Sequence, residues 1–260
     1  MHWFPGQALI QRRADPKFWS QLCFKGSGLV SYHSLNGQGM DYEFHWNVVF
    51  QNMPQLLNGA FVTLHVSVLA MLLGIVIAIL LAIAKMNNTK FFSQVATVWV
   101  EIARNTPALF QIYMAYFGLG AFGIHLSPYV AVLSALVFIN AGYLTETFRG
   151  GFQSIPSTQY SASKSLGMTS IQSYRYIILP QMLRRIYHPM TNQFVWSILM
   201  SSLGILVGMS ELSGTTQRLQ SLSFRTLEFF IVAAVMYFII TKLVLFGSSL
   251  LARRLFKGEI

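Results

Sequence analysis

Charge is what this sequence has least of. Only 10% of its 260 residues are Asp, Glu, Lys or Arg, against roughly a quarter in an ordinary soluble domain. With 54% of residues hydrophobic, there is more apolar surface than a water-soluble core of this size can bury, so a soluble globule is excluded. Cysteine is nearly absent as well. Cys23 stands alone, which excludes an intramolecular disulfide and a Cys-rich metal site. His65 and His125 have no histidine or carboxylate at metal-ligand spacing. No Gly-x-x-x-x-Gly-Lys-Ser/Thr phosphate loop occurs, so the chain does not read as an ATPase itself. No clustered acid, base or metal constellation marks a membrane-embedded enzyme either. The net charge of +10 raises a nucleic-acid partner, but that needs basic residues gathered on a soluble face. Here they lie in short stretches between apolar runs, and no nucleic acid is expected.

The missing charge is also contiguous. Residues 44–84, 105–145 and 186–210 hold no Lys, Arg, Asp or Glu. Runs of about 20 such residues cross a bilayer as helices, because a helix satisfies its own backbone in lipid. An all-α membrane protein with about five transmembrane helices follows, at residues 61–84, 107–122, 129–147, 189–209 and 229–251. Gly118, Gly120, Gly123 and Pro128 split the second span from the third as a turn. Val95, Val98, Trp99 and Ile102 recur at helical spacing ahead of the second span, so residues 91–104 are expected to extend it toward one membrane face. Pro107 removes a backbone donor and biases Thr106 away from helix, which places a kink near Thr106.

Cytoplasmic loops collect Lys and Arg. Lys85 and Lys90 follow the first span, Arg149, Lys164, Arg175, Arg184 and Arg185 follow the third, and Arg253, Arg254 and Lys257 form the tail. The turn between spans two and three has no charge, and that between four and five balances Arg218 and Arg225 against Glu211 and Glu228. The N-terminus is therefore expected outside and the C-terminus in the cytoplasm. Residues 1–39 oppose this with Arg12, Arg13, Lys17 and Lys25 against Asp15, and they lack the apolar core of a secretory signal. They are read as a mobile tail or an extension ahead of a start at Met40, with residues 40–260 a single transmembrane domain.

Residues 149–185 are too many for a mere connector, so structure and a function are expected there. Ser157 or Thr158 can cap a helix through Gln159, Tyr160, Ser161, Ala162, Ser163, Lys164, Ser165 and Leu166, which Gly167 then stops. A second helical stretch, 171–179, is expected to end or bend at Pro180. A short helix of small residues between two bends suits docking into a groove of a soluble partner.

This segment resembles the signature loop of binding-protein-dependent ABC importer permeases: Glu-Ala-Ala, three residues, Gly, nine residues, Ile-x-Leu-Pro. Ser161-Ala162-Ser163, then Gly167, then Ile177-Ile178-Leu179-Pro180 keep that register, with Ser161 in place of the acid and Ser163 in place of the second alanine. Further similarity to the polar amino-acid branch lies in Arg104-Asn105-Thr106-Pro107 with Gln111, in 146–156, and in Gly208-Met209-Ser210-Glu211-Leu212. The resemblance implies a type I ABC importer permease fold in the bacterial inner membrane. It implies that Gln159, Tyr160, Ser161, Ala162, Ser163, Leu166, Gly167, Leu179 and Pro180 form the ATPase-coupling segment. Its partners would be an ATP-binding cassette ATPase dimer, a second permease subunit, an extracytoplasmic amino-acid binding protein and membrane lipid. This chain would bind no cofactor, and the partner ATPase would use ATP.

Arg104 and Glu146 are the ionisable groups nearest the spans, where charge is costly and functional by default. Arg104 can attract a substrate carboxylate and Glu146 an ammonium, so Arg104, Asn105, Thr106 and Glu146 are candidate pathway residues. Against this, Arg104 can snorkel to headgroups, and Glu146 can pair with Arg149 three residues on. Lys242 reads as a snorkelling residue. The alternatives are a permease for another small solute or a secondary amino-acid carrier, although five spans do not supply the paired repeats of such carriers.

Overall fold

The computed structural model describes residues 42–86 and 90–256. Residues 1–39 and a start at Met40 lie outside the described residues. The described chain is helical, with no strand among the described residues. The helices are α1 (Trp46–Gln51), α2 (Met53–Met86), α3 (Lys90–Asn105), α4 (Ala108–Ala121), α5 (Pro128–Gln153), α6 (Ser157–Ser165), α7 (Ser170–Val207), α8 (Leu212–Ser223) and α9 (Thr226–Leu255).

Four of them, α2, α5, α7 and α9, are long and apolar enough to cross a membrane. Each is longer than the span expected of it, because a helix does not stop where lipid does. At 34 residues α2 is about 51 Å long, against a hydrocarbon core of about 30 Å. The expected second span is the shorter α4, and 91–104 does not continue it. Instead α3 ends at Asn105 and α4 begins at Ala108, with Pro107 extended at φ −62° and ψ 138°. The break is complete rather than a kink because Pro107 lacks an N–H and holds Thr106 out of the helix. Its loose groups are satisfied locally, as the bilayer requires. Thr106 Oγ1 donates to Ile102 O (2.7 Å), and Gln111 Nε2 reaches Thr106 Oγ1 (2.7 Å), Ala103 O (3.1 Å) and Thr106 O (3.2 Å).

Pro180 does not end a helix either. α7 runs through both Pro180 and Pro189, with a π-wound turn at Tyr174–Ile178. That wide turn re-registers the hydrogen-bond ladder just ahead of the proline, so the missing donor interrupts no regular run. The expected long loop is thereby reduced to short turns at 154–156 and 166–169. α7 starts on a capping box that the Thr-x-x-Gln spacing announces: Thr169 Oγ1 accepts from Gln172 N, and Gln172 Oε1 accepts from Thr169 N.

α2 and α5 pack along much of their length and form the centre. Apolar groups fill it at successive levels: Leu56, Ile198, Leu212 and Phe229; Val66, Ile112, Val132 and Leu136; Ala78, Leu144, Phe148 and Ile186. Gly142 lets α3 lie against α5, since a Cβ there would stand 2.5 Å from that of Ala103. Outside the centre, Leu72, Leu80, Ile83, Phe238, Leu243 and Phe246 are exposed, an apolar belt too large for water and suited to lipid or another subunit.

Candidate functional site

Two regions carry the sequence-derived site residues. The first is the elbow between α6 and α7. The expected cap at Ser157 or Thr158 is not made: Pro156 precedes the helix without a side-chain cap, and its carbonyl takes Gln159 N (3.1 Å). The expected stop at Gly167 is made. Its φ is +77°, Gly167 N donates to Lys164 O (3.0 Å) and Met168 N to Ser163 O (3.1 Å), the doubled closure of a left-handed helix end.

The expected coupling residues divide into two groups. Gln159, Tyr160 and Ser163 face back and bind α7: Gln181 Nε2 donates to Gln159 Oε1 (2.5 Å), Tyr160 and Ser170 hydroxyls lie 3.2 Å apart, and the buried Ser163 donates to the buried Ser173 (2.7 Å). Ser163, at the second alanine position of the loop pattern, is thus half of a hydroxyl pair. Lys164 Nζ joins the same seam by donating to Ser170 Oγ (2.9 Å). Ser161, Ala162, Leu166, Gly167, Leu179 and Pro180 are exposed. Leu166 is 81% and Ile171 79% exposed, so two bare apolar tips flank the Gly167 turn. Ile171 was not among the expected residues; an apolar residue just past a helix stop is its only signal.

The second region surrounds the break after α3. Arg104 is exposed and its guanidinium carbon sits 5.4 Å from the Tyr143 ring centre. No carboxylate lies within ion-pair distance of it among the described residues. Asn105 is exposed beside it, while Thr106 is spent on the break. Glu146 is paired on both carboxylate oxygens. Lys85 Nζ meets its Oε1 at 2.6 Å, and Arg149 grips Oε2 through Nε (2.9 Å) and Nη2 (2.6 Å). The expected pairing with Arg149 is present, and Lys85 adds a charge-assisted tie from α2 to α5.

α5 and α7 also share a group of polar and aromatic side chains that the sequence alone did not reveal. Gln193 Nε2 donates to Asn140 Oδ1 (2.9 Å), Asn140 Nδ2 donates to Ser197 Oγ (3.1 Å), and the Tyr143 and Trp196 rings are 5.9 Å apart. The i, i+3 spacing of Asn140 with Tyr143, and of Gln193 with Trp196, was the available signal. Glu211, read from the sequence as a loop charge and part of a motif, is fully buried. Its carboxylate caps α8 by accepting from Gly214 N (2.7 Å) and Ser213 N (2.8 Å), and also takes Tyr237 OH (2.7 Å) and Thr63 Oγ1 (3.3 Å). It therefore ties α2, α8 and α9 together. Lys242 lies 5.4 Å from the Phe238 ring centre on the exposed side of α9.

Long apolar helices around a charge-poor centre, with a short exposed helix joined to one of them through a hydrogen-bonded elbow, make a multi-pass membrane architecture, and comparison with known proteins identifies it as the type I ABC importer permease fold. Residues 74–257 match the model of the binding-protein-dependent transport system inner membrane component, and the chain belongs to that family. It is 34% identical over 215 residues to the glutamine transport system permease protein GlnP of Escherichia coli K12, covering 82% of this chain and 98% of that one. It is 28% identical over 227 residues to the L-cystine transport system permease protein TcyL of Bacillus subtilis, covering 85% and 95%. Among solved structures, an amino acid ABC transporter with histidines superposes with a TM-score of 0.77 at 30% identity, covering 82% of this chain and all of that chain. The methionine transporter MetNI shares the fold, with a TM-score of 0.66 at 20% identity over 79% of this chain and 98% of its own.

Proposed function

We propose that the chain is the transmembrane subunit of an ATP-driven importer of polar or charged amino acids in the bacterial inner membrane, with its C-terminus cytoplasmic. It pairs with a second permease subunit and receives the amino acid from an external binding protein. An ATP-binding cassette dimer engages α6 and performs the hydrolysis. The relatives' glutamine and cystine transport supports the solute class.

The observation that carries the coupling is the elbow. The turn after α6 leaves Leu166 bare, and the start of α7 leaves Ile171 bare, for a partner, while Gln159, Tyr160 and Ser163 lock α6 to α7. Because α7 continues unbroken into a membrane span, a push on α6 becomes a movement of that span. In this reading the exposed Arg104 and Asn105 meet solute, and Thr106 and Glu146 support the pathway wall.

The test is Leu166→Asp together with Ile171→Asp in the reconstituted importer. The ATPase is expected to dissociate on purification and ATP-driven uptake to be lost. Uptake that persists unchanged, or Lys164 labelled by a reagent confined to the cell exterior, overturns the coupling.

A further inference from the structure

One end of the seam between α7 and α9 is basic. Residues 176–210 and 229–256 contain no Asp or Glu, and four of their five Lys and Arg residues, Arg184, Arg185, Arg253 and Arg254, stand at that end. Arg185 is used on Ser154 O (2.7 Å). Arg253 and Arg254 are exposed and have no ion partner among the described residues. The Arg184 guanidinium carbon lies 5.9 Å from the Phe256 ring centre, and Phe256 meets the Tyr187 ring edge-on at 5.5 Å. The two rings bring that arginine to the mouth of a crevice.

The crevice, about 350 Å³ in volume, lies between α2, α7 and α9, and its walls are apolar: Met71, Met190, Phe194, Val244 and Leu251. Gly247 also lines it, and a Cβ there meets nothing within 4 Å. Tyr187 OH donates to Ser248 O (2.7 Å), and the Thr191 and Ser248 hydroxyls lie 2.7 Å apart. These bonds fix α7 to α9 beside the crevice. Arg184 precedes Tyr187 by three positions and Thr191 by seven, while Arg254 follows Leu251 by three and Gly247 by seven. Both arginines therefore continue the helix faces that line the gap.

Both helices are long and apolar enough to cross a membrane, so the crevice faces the bilayer. A free phosphate would meet the arginines and leave the apolar walls bare. A neutral lipid would cover the walls and leave the charge unanswered. We propose that the crevice is a binding site for an anionic phospholipid of the leaflet at the C-terminal end of α9. One acyl chain lies along Phe194, Val244 and Gly247, and Arg184 and Arg254 hold the phosphate. The site goes beyond the importer reading and does not depend on which solute is carried.

The experiment is native mass spectrometry of the full-length chain in detergent, with dioleoyl-phosphatidylglycerol or dioleoyl-phosphatidylcholine added over a concentration series. The wild type is expected to bind phosphatidylglycerol about 25-fold more tightly, at about 5-fold for each of the two arginines. Arg184→Gln and Arg254→Gln should each remove about 5-fold of that preference and leave phosphatidylcholine binding unchanged. Gly247→Leu, which fills the crevice and alters no charge, should weaken both lipids together. Arg254 is exposed on the last turn of α9, so its variant serves where Arg184→Gln does not purify. Equal binding of the two lipids by the wild type, a preference that survives loss of both arginines, or unchanged binding by Gly247→Leu overturns the site. Displacement of the lipid by an equal concentration of inorganic phosphate assigns the arginines to the free anion and overturns it as well.

Discussion

Gly167 offers a clean test of the elbow, because its geometry separates two costs that usually come together. It holds φ at +77°, yet a Cβ built there meets nothing within 4 Å. Substitution therefore costs backbone strain alone, with no collision. Asn visits this left-handed region readily and should cost little. Ala should cost about 1 kcal/mol and the β-branched Val about 2 kcal/mol. A helix as short as α6, nine residues, does not hold itself in water. Strain at its closure thus lowers the docked population directly, by about 5-fold for Ala and about 30-fold for Val. Uptake by the reconstituted importer should fall in the order Gly, Asn, Ala, Val. Hydrogen exchange at Met168, whose amide bonds Ser163, should rise in the same order. Asn is larger than Ala, so a loss that follows side-chain volume refutes the reasoning, as does full activity in the Val variant.

Gly142→Ala is the opposite case, limited by space. Its Cβ would stand 2.5 Å from that of Ala103, so thermal stability in detergent should drop by about 2 kcal/mol, and Ala103→Gly in the same chain should restore most of it. Glu211→Ala removes the acceptor for two backbone amides and two hydroxyls at once; about 3 kcal/mol of stability should be lost, measured by thermal unfolding in detergent. Lys85→Met and Glu146→Gln should each cost about 1–2 kcal/mol, between an exposed and a buried pair. The double variant should cost much less than their sum, because both break the same 2.6 Å bridge; simple additivity in detergent unfolding counts against the tie.

The membrane class, the approximate spans and the left-handed stop at Gly167 were legible in the sequence, because each depends on residues adjacent in the chain. Lack of charge over about 20 positions already dictates a lipid environment, and a glycine after a run of helix formers already dictates a stop. Helix continuity through Pro180 was not legible, since the π-wound turn that accommodates it is a property of the folded backbone. Nor was the fate of the ionisable groups. Glu146 could be paired in the sequence only with Arg149, and Lys85, 61 positions away, joins it in the fold; Arg104 could be read as snorkelling to headgroups, and the fold sets it beside the Tyr143 ring of α5. Glu211 became a hub only when Thr63, 148 positions earlier, and Tyr237 closed on it. Residue type and spacing set what a charge can do; the packing of distant helices decides which charges are consumed as supports and which stay open to a ligand.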